Sequence, residues 1–310
     1  MAVDGAGNLF VADQGDRRIR RVDSAGVITT VAGTGAPAIG RFTGDDGPAT
    51  AARLRSPTGV AVDGAGNLFV ADEANNRIRK VDSAGVITTV AGTGDRGFSG
   101  DGGPATAAWL FFPADVAVDG AGNLFIADFA NDRIRKVDTA GGIATVAGTG
   151  DRGFSGDGGP ATAARLDRPV GVAVDRAGNL FIADRGNYRV RKVDSAGVIT
   201  TVVGTGRFGF SGDGGPAVNA QLYEPSGVAV DDAGNLFIAD RVDNRIRKVD
   251  SSGVISTIAG MGEEGFSGDG GPAIAARLHR PVGVAVDGAG NVFIADSGNG
   301  LIRILTPAVR

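Results

Sequence analysis

The stretch Gly59–Gly92, GVAVDGAGNLFVADEANNRIRKVDSAGVITTVAG, decides the fold. It contains four short apolar runs: GVAVD (Gly59–Asp63), NLFVAD (Asn67–Asp72), NRIRKVD (Asn76–Asp82) and GVITTVAG (Gly85–Gly92). Each run is rich in Val, Ile or Phe and is bounded by Asp, Gly and Asn, residues that form turns through local hydrogen bonds or positive φ. The spacing predicts four antiparallel strands, A to D, joined by tight hairpins. A longer connection of the type TGDRGFSGDGGPATAA (Thr93–Ala108) leads to the next copy. Within it, Pro104–Leu110 predicts a helix of one to two turns with Pro in its first turn.

Working outward, the marker Gly-Asn-Leu/Val-Phe recurs at Gly7, Gly66, Gly122, Gly178, Gly234 and Gly290, at intervals of 59 and then four times 56 residues. The whole chain is one repeat array, with units at about 1-58, 59-114, 115-170, 171-226, 227-282 and 283-310. Four short strands repeated six times predict an all-β fold, a six-bladed β-propeller forming a single domain. Neighbouring blades would cover each other, which accounts for runs that are apolar on both faces. A parallel β-helix would need shorter coils and no hairpin turns, so it ranks lower.

Composition narrows the chemistry. The 310 residues include 53 glycines, more than twice the ordinary usage and in keeping with many turns. With no Cys, disulfides, thiolate nucleophiles and Cys-based metal sites are excluded, and a single His, His279, excludes sites needing several imidazoles. No apolar run is long enough for a membrane-spanning helix, and the opening MAVDGAGNLF lacks the layout of a signal peptide. A net charge of −4 argues against an electrostatic nucleic-acid binder.

The pattern P-x-G-V-A-V-D-x-A-G-N-L-F-I-A-D-x-x-N-x-R-I-R-K-V-D resembles the NHL repeat, and the resemblance covers essentially the whole chain. The name-giving Asn-His-Leu position reads Asn76-Arg77-Ile78 and Asn244-Arg245-Ile246 here. The Gly-Phe-Ser-Gly-Asp-Gly-Gly-Pro connection is similar to that of NHL domains in large bacterial surface proteins and in teneurin ectodomains. The resemblance implies a propeller of NHL type. It leaves function open, because NHL propellers include enzymes, RNA binders and protein-binding modules. It also implies an extracellular or cell-surface setting within a longer, bacterial protein.

Met1 falls in the place of Val60, inside strand A, and Leu301–Leu305 is a strand C followed only by TPAVR. The last blade is therefore expected to lack its outer strand. Leu301 and Ile304 replace the usual Arg and Lys, making an apolar edge that invites another strand. The chain is expected to be a piece of a longer protein, or to pair this edge with another chain.

Because the copies are so uniform, residues that differ between them carry the functional signal. In an up-and-down blade the B–C turns and the D-to-A connections share one face. The B–C turns vary freely, and so do the residues before each blade-opening Pro: Arg55-Ser56, Phe111-Phe112, Asp167-Arg168, Tyr223-Glu224 and His279-Arg280. Eleven of the 18 aromatics repeat with the array, while Trp109, Phe111, Phe112, Phe129, Tyr188, Phe208 and Tyr223 do not, and all seven fall on this face. Clustered exposed rings form binding hot spots, whereas the alternative is local packing between blades. The predicted binding residues are Trp109, Phe111, Phe112, Phe129, Arg185, Tyr188, Tyr223 and Arg241.

Several residues look chemical. Asp13, Asp72, Asp128, Asp184, Asp240 and Asp296 each end strand B and read first as Asx-turn formers. The alternative is a ring of carboxylates around a central channel, able to hold calcium. No other cofactor is expected. The Ser-Gly-Asp-Gly-Gly-Pro segment lacks the Lys and Ser/Thr of a P-loop. It reads as a loop anchored by Phe98 and its copies, with Asp or Gly capping the short helix. The Arg-Ile-Arg-Lys stripe of strand C shares its surface with Asp16, Glu73, Asp132, Asp243, Glu263 and Glu264, so it makes no phosphate track.

These features together predict a non-enzymatic scaffold that presents its variable loop face to a protein or glycan partner. The alternatives are a metal-dependent lactonase or lyase with a site at the channel mouth, and an amplified or engineered array with no selected ligand.

Overall fold

The structure, a computed structural model, describes residues 1–37 and 42–307. These form the six blades of an all-β propeller fold, each an antiparallel meander, with three blades in each of two compact units, Met1–Gly150 and Asp151–Arg310.

In the first unit, blade 1 comprises Ala2–Val3, Leu9–Asp13, Arg18–Val22 and Ile28–Ala32. Blade 2 comprises Pro57–Val62, Leu68–Asp72, Arg77–Val81 and Val86–Ala91, and blade 3 Pro113–Val118, Leu124–Asp128, Arg133–Val137 and Ile143–Ala147. In the second unit, blade 4 comprises Pro169–Val174, Leu180–Asp184, Arg189–Val193 and Val198–Val203. Blade 5 comprises Pro225–Val230, Leu236–Asp240, Arg245–Val249 and Ile255–Ala259. Blade 6 has three strands among the described residues, Gly283–Val286, Val292–Asp296 and Leu301–Leu305.

The uniform A–B and C–D turns follow from one device. Asp63 accepts hydrogen bonds on Oδ1 from the backbone N–H of Ala65 and Asn67, and on Oδ2 from Asn67 Nδ2. Gly66, at φ +81°, supplies the left-handed residue that the turn requires. Asp82 closes the C–D turn in the same way with Ala84 and Val86.

Strand B is buried along its length in blades 2 to 5, and in blades 2 and 5 neighbouring blades of the same unit pack on both of its faces. In the first unit Ala61, Phe69 and Ile78 of blade 2 share one core with Val116, Leu124 and Ile126 of blade 3. In the second unit Phe181 and Val190 of blade 4 pack with Val228, Leu236 and Ile238 of blade 5.

The connection departs from the expected helix. Its helical part is a single 3-10 turn, Ala105–Ala107, closed by the Ala108 N–H on the Ala105 carbonyl. Ala108 is already extended, at ψ 155°, and packs so closely on Gly100 that a Cβ there would lie 2.7 Å from its Cα. The Gly-Pro step before the turn adds a short fifth strand to the outer edge of the following blade: Gly47–Pro48 beside Val86–Ala91, and Gly159–Pro160 beside Val198–Val203.

Candidate interaction face

The strand-B aspartate organises the variable face. Asp128 accepts the Phe111 N–H on Oδ1 at 2.8 Å and the Asn131 side-chain amide on Oδ2 at 2.8 Å. Its Oδ2 also lies 3.5 Å from Arg135 Nη1. The Ala130 N–H returns a bond to the Phe111 carbonyl, so the B–C turn and the pre-proline residue are locked together. The same bonds join Arg55 to Asp72, Asp167 to Asp184, Tyr223 to Asp240 and His279 to Asp296. In these five blades the aspartate reaches 17 residues back along the chain, which a local Asx turn does not require.

The strand-C arginine completes the support. Arg135 is fully buried and donates through Nη2 to Asp101 at 2.7 Å and to the Ser99 carbonyl at 3.0 Å. The Phe98 ring lies under two guanidinium groups, 3.7 Å from Arg133 and 4.7 Å from Arg135. The GFSGD segment is thus a clamp on strand C. Asp101 pairs with an arginine and does not cap the short helix, which starts at Pro104 with no side-chain cap. Arg79, Arg191 and Arg247 repeat the arrangement with Asp45, Asp157 and Asp213. What reads as a basic stripe is, at this position, buried and neutralised.

Burial pushes the strand-B carboxyls upward, against the pull of their hydrogen bonds and arginines: Asp128 to about 6 and Asp184 to about 7. Asp240 reaches about 8, burial again being the main cause and the neighbouring Asp243 charge the second.

On this frame the third blade carries the predicted aromatic residues. Phe111 and Phe112 stack at 4.8 Å, and Arg96 sits over Phe112 at 5.5 Å. Phe112 is left-handed, at φ 51°, and its N–H donates to Asn76 Oδ1 of the preceding blade at 3.0 Å. Trp109 is 43% exposed and lies over Gly97, where a Cβ would come within 3.3 Å of the indole. Phe129 is half-buried at the head of the B–C turn.

The second unit holds a three-ring cluster. Tyr188 meets Tyr223 at 6.1 Å and Phe208 at 6.0 Å, and Phe208 meets Tyr223 at 5.3 Å. Beside it Glu224 accepts from Arg185 Nη2 at 2.8 Å and Arg241 Nη1 at 2.6 Å. Burial works against its charge, yet the two arginines hold its carboxyl below the usual range. Phe208 and Glu224 are absent from the predicted set, although both carry a signal. Phe208 stands where the other connections have Arg96, Arg152 and Glu264, and Glu224 directly precedes a blade-opening proline. His279 is held by its backbone, with Glu264 3.6 Å from Nε2. Among the described residues no group of three acidic or His side chains is placed to hold a metal ion.

Comparison with known proteins adds the following. The family model described as the teneurin NHL domain matches residues 35–98, 150–211 and 208–267, more than half of the chain. The NHL repeat model matches residues 278–305. Teneurin-4 of Mus musculus is 33% identical over 279 residues, covering 77% of this chain and 10% of the relative. NHL repeat-containing protein 2 of Gallus gallus is 28% identical over 340 residues, covering 98% of this chain and 46% of the relative. The chain thus spans a tenth to a half of these relatives. Among solved structures, a streptogramin B lyase superposes with a TM-score of 0.53 at 15% identity, covering 94% of this chain and 74% of the lyase.

Proposed function

The chain belongs to the NHL-repeat family of β-propellers, and we propose that it serves as a non-enzymatic scaffold whose variable loop face binds a protein or glycan partner. One observation carries this reading: the repeated strand-B aspartates and second strand-C arginines are consumed inside blades 2 to 5, while the non-repeated aromatics stand on the loops that those residues hold. Trp109 is exposed, Phe111 and Phe112 stack beside it in sequence, and the Tyr188, Phe208 and Tyr223 rings cluster beside the Arg185–Glu224–Arg241 group. Aromatic side chains and arginines are the residue types that anchor interfaces.

The competing reading is a metal-dependent lactonase or lyase, with calcium as the metal. The strand-B carboxylates such an ion would need are engaged in blades 2, 3, 4 and 6 by backbone N–H groups and Asn side chains, which favours the scaffold.

The test is a screen of the intact protein against glycan arrays and immobilised cell-surface ectodomains, repeated with Trp109→Ala and Phe112→Ala. Binding that disappears in the variants at unchanged melting temperature supports the proposal. Binding that survives both variants moves the contact elsewhere. Stabilisation by calcium that a chelator reverses, together with turnover of a lactone, replaces the scaffold with the enzyme.

A further inference from the structure

In blades 3, 4 and 6 one asparagine nitrogen in the B–C turn ties two oxygens together. Asn131 Nδ2 donates to Asp128 Oδ2 at 2.8 Å and to the Gly97 carbonyl at 2.7 Å. Asn187 does the same with Asp184 and Gly153, and Asn299 with Asp296 and Gly265. The strand-B carboxylate and the glycine before the clamp phenylalanine are thus bridged by a donor from the turn.

Blade 5 keeps both oxygens and loses the donor. Asp240 and Gly209 stand in the corresponding places, but the turn residue is Asp243. Asp240 is wholly buried, and its Oδ2 and that of Asp243 are both enclosed without a hydrogen-bond partner. Arg247 Nη1 stays 3.7 Å from Asp240 Oδ2, while Nη2 is held by Asp213 at 2.7 Å. Among the described residues nothing donates to the Gly209 carbonyl.

The charges specify the occupant. In blade 4, Asp184 and Asp157 face Arg189 and Arg191, two against two. In blade 5, Asp240, Asp243 and Asp213 face Arg245 and Arg247, three against two. No further arginine makes up the difference, since Gln221 stands beside Gly209 where Arg165 and Arg277 stand beside Gly153 and Gly265. A buried carboxylate without its counter-charge is strongly destabilising, and the deficit is one unit. Among the described residues no third acidic or His side chain joins the pair, as the ligand cage of a calcium ion would require. An alkali cation needs only oxygens that replace its hydration shell, and carboxylates with a carbonyl supply them. Blade 1 has an aspartate at the same position, Asp16, but exposed to water, where its charge needs no partner.

We propose that blade 5 binds one singly charged alkali cation, sodium or potassium, between the Asp240 and Asp243 carboxylates and the Gly209 carbonyl, where blades 3, 4 and 6 use an asparagine amide. Asp243 is half-buried, which leaves the ion a path from solvent. The ion would fasten two loops of the variable face. Phe208 directly precedes Gly209, and Asp240 Oδ1 accepts the Tyr223 N–H at 2.7 Å, so the rings that meet at 5.3 Å are carried by its ligands. The site does not depend on what those rings bind.

The test compares melting temperatures of the full chain in sodium, potassium and tetramethylammonium chloride at one ionic strength. It is run at pH 9, above the value of about 8 to which burial raises Asp240, so that a proton competes least. Sodium or potassium should raise the midpoint saturably over tetramethylammonium, by about 2–3 °C at roughly ten times its Kd. Asp243→Asn installs the residue that four other blades carry, so the variant should fold, and it should no longer distinguish the three salts. Crystals soaked in rubidium should show anomalous scattering between Asp240 and Asp243. Equal midpoints in all three salts overturn the proposal and leave the position to a proton. An alkali response of the same size in Asp243→Asn, or rubidium found only at other places, overturns it by moving the ion elsewhere. Stabilisation by calcium where sodium and potassium have no effect overturns the single charge.

Discussion

Asp243 faces Asp240 from three residues further along the B–C turn of blade 5, and its charge helps raise the Asp240 carboxyl to about 8. In blades 2, 3, 4 and 6 this position is an asparagine whose side-chain amide donates to the strand-B aspartate at 2.8 Å. An ionised Asp has no proton to donate, so Asp240 Oδ2 and Asp243 Oδ2 are both buried without a hydrogen-bond partner.

Asp243→Asn should therefore stabilise the protein, and the gain should depend on pH. Asp240 has a folded-state pKa raised above the ordinary carboxyl value of 3.8, so the folded chain holds its proton longer than the unfolded chain does. That contribution to stability is present below 3.8 and is lost as pH rises toward 8. At pH 8 the substitution should gain about 1–3 kcal/mol, the cost of one unsatisfied buried acceptor, with the gain shrinking toward zero at pH 4. Urea unfolding at the two pH values measures this. An equal gain at both would mean that the two carboxylates are not the source.

Arg135 offers a larger effect. It has a buried carboxylate, Asp128, on one side and Asp101 on the other. Arg135→Ala leaves Asp128 in the interior without its counter-charge and should cost about 3–5 kcal/mol. Adding Asp128→Asn removes the stranded charge and should recover part of that loss. Full additivity of the two losses would show that the pair does not interact in the way the geometry requires.

The repeat was legible in the sequence because its turns allow few residue types. Asp63 and Asn67 must bond across a turn that Gly66 enters at positive φ, so Asp-x-x-Gly-Asn returns with every blade. The fate of Arg135 was not legible. Arg-Ile-Arg-Lys alternates in the same way whether the second arginine faces water or a buried carboxylate. What decides is Asp101, 34 residues earlier, and Phe98 beneath the guanidinium. Strand order alone puts the pre-proline residues on the face of the B–C turns, in agreement with the Ala130 N–H bond to the Phe111 carbonyl. That Asp128 and its copies lock the two together depends on contacts 17 residues apart, which no local pattern reports.

Two glycines separate backbone conformation from space. Gly66 has φ +81° and nothing within 4 Å of where a Cβ would stand, whereas Gly92 has φ +92° and a carbonyl oxygen 2.3 Å away. Gly66→Ala should cost about 1–2 kcal/mol, the left-handed penalty alone. Gly92→Ala should add roughly 1–3 kcal/mol for the displaced Asn76 backbone. Denaturant midpoints of the two variants would test this, and equal losses would count against the close approach.

Adjacent residues in the third blade's connection provide the sharpest check on the binding face. Leu110 is wholly buried and Trp109 is 43% exposed, although both precede the same strand. Leu110→Ala should cost about 2–5 kcal/mol by leaving a cavity. Trp109→Ala removes a ring that rests on Gly97 with one side in water, and should cost less than about 1 kcal/mol. Thermal and urea unfolding compare the pair directly. A Trp109→Ala loss as large as that of Leu110→Ala would make the indole a core residue and remove it from the binding face. A small loss would mean that the array holds its single tryptophan at a place where stability does not require it, as a contact residue should be.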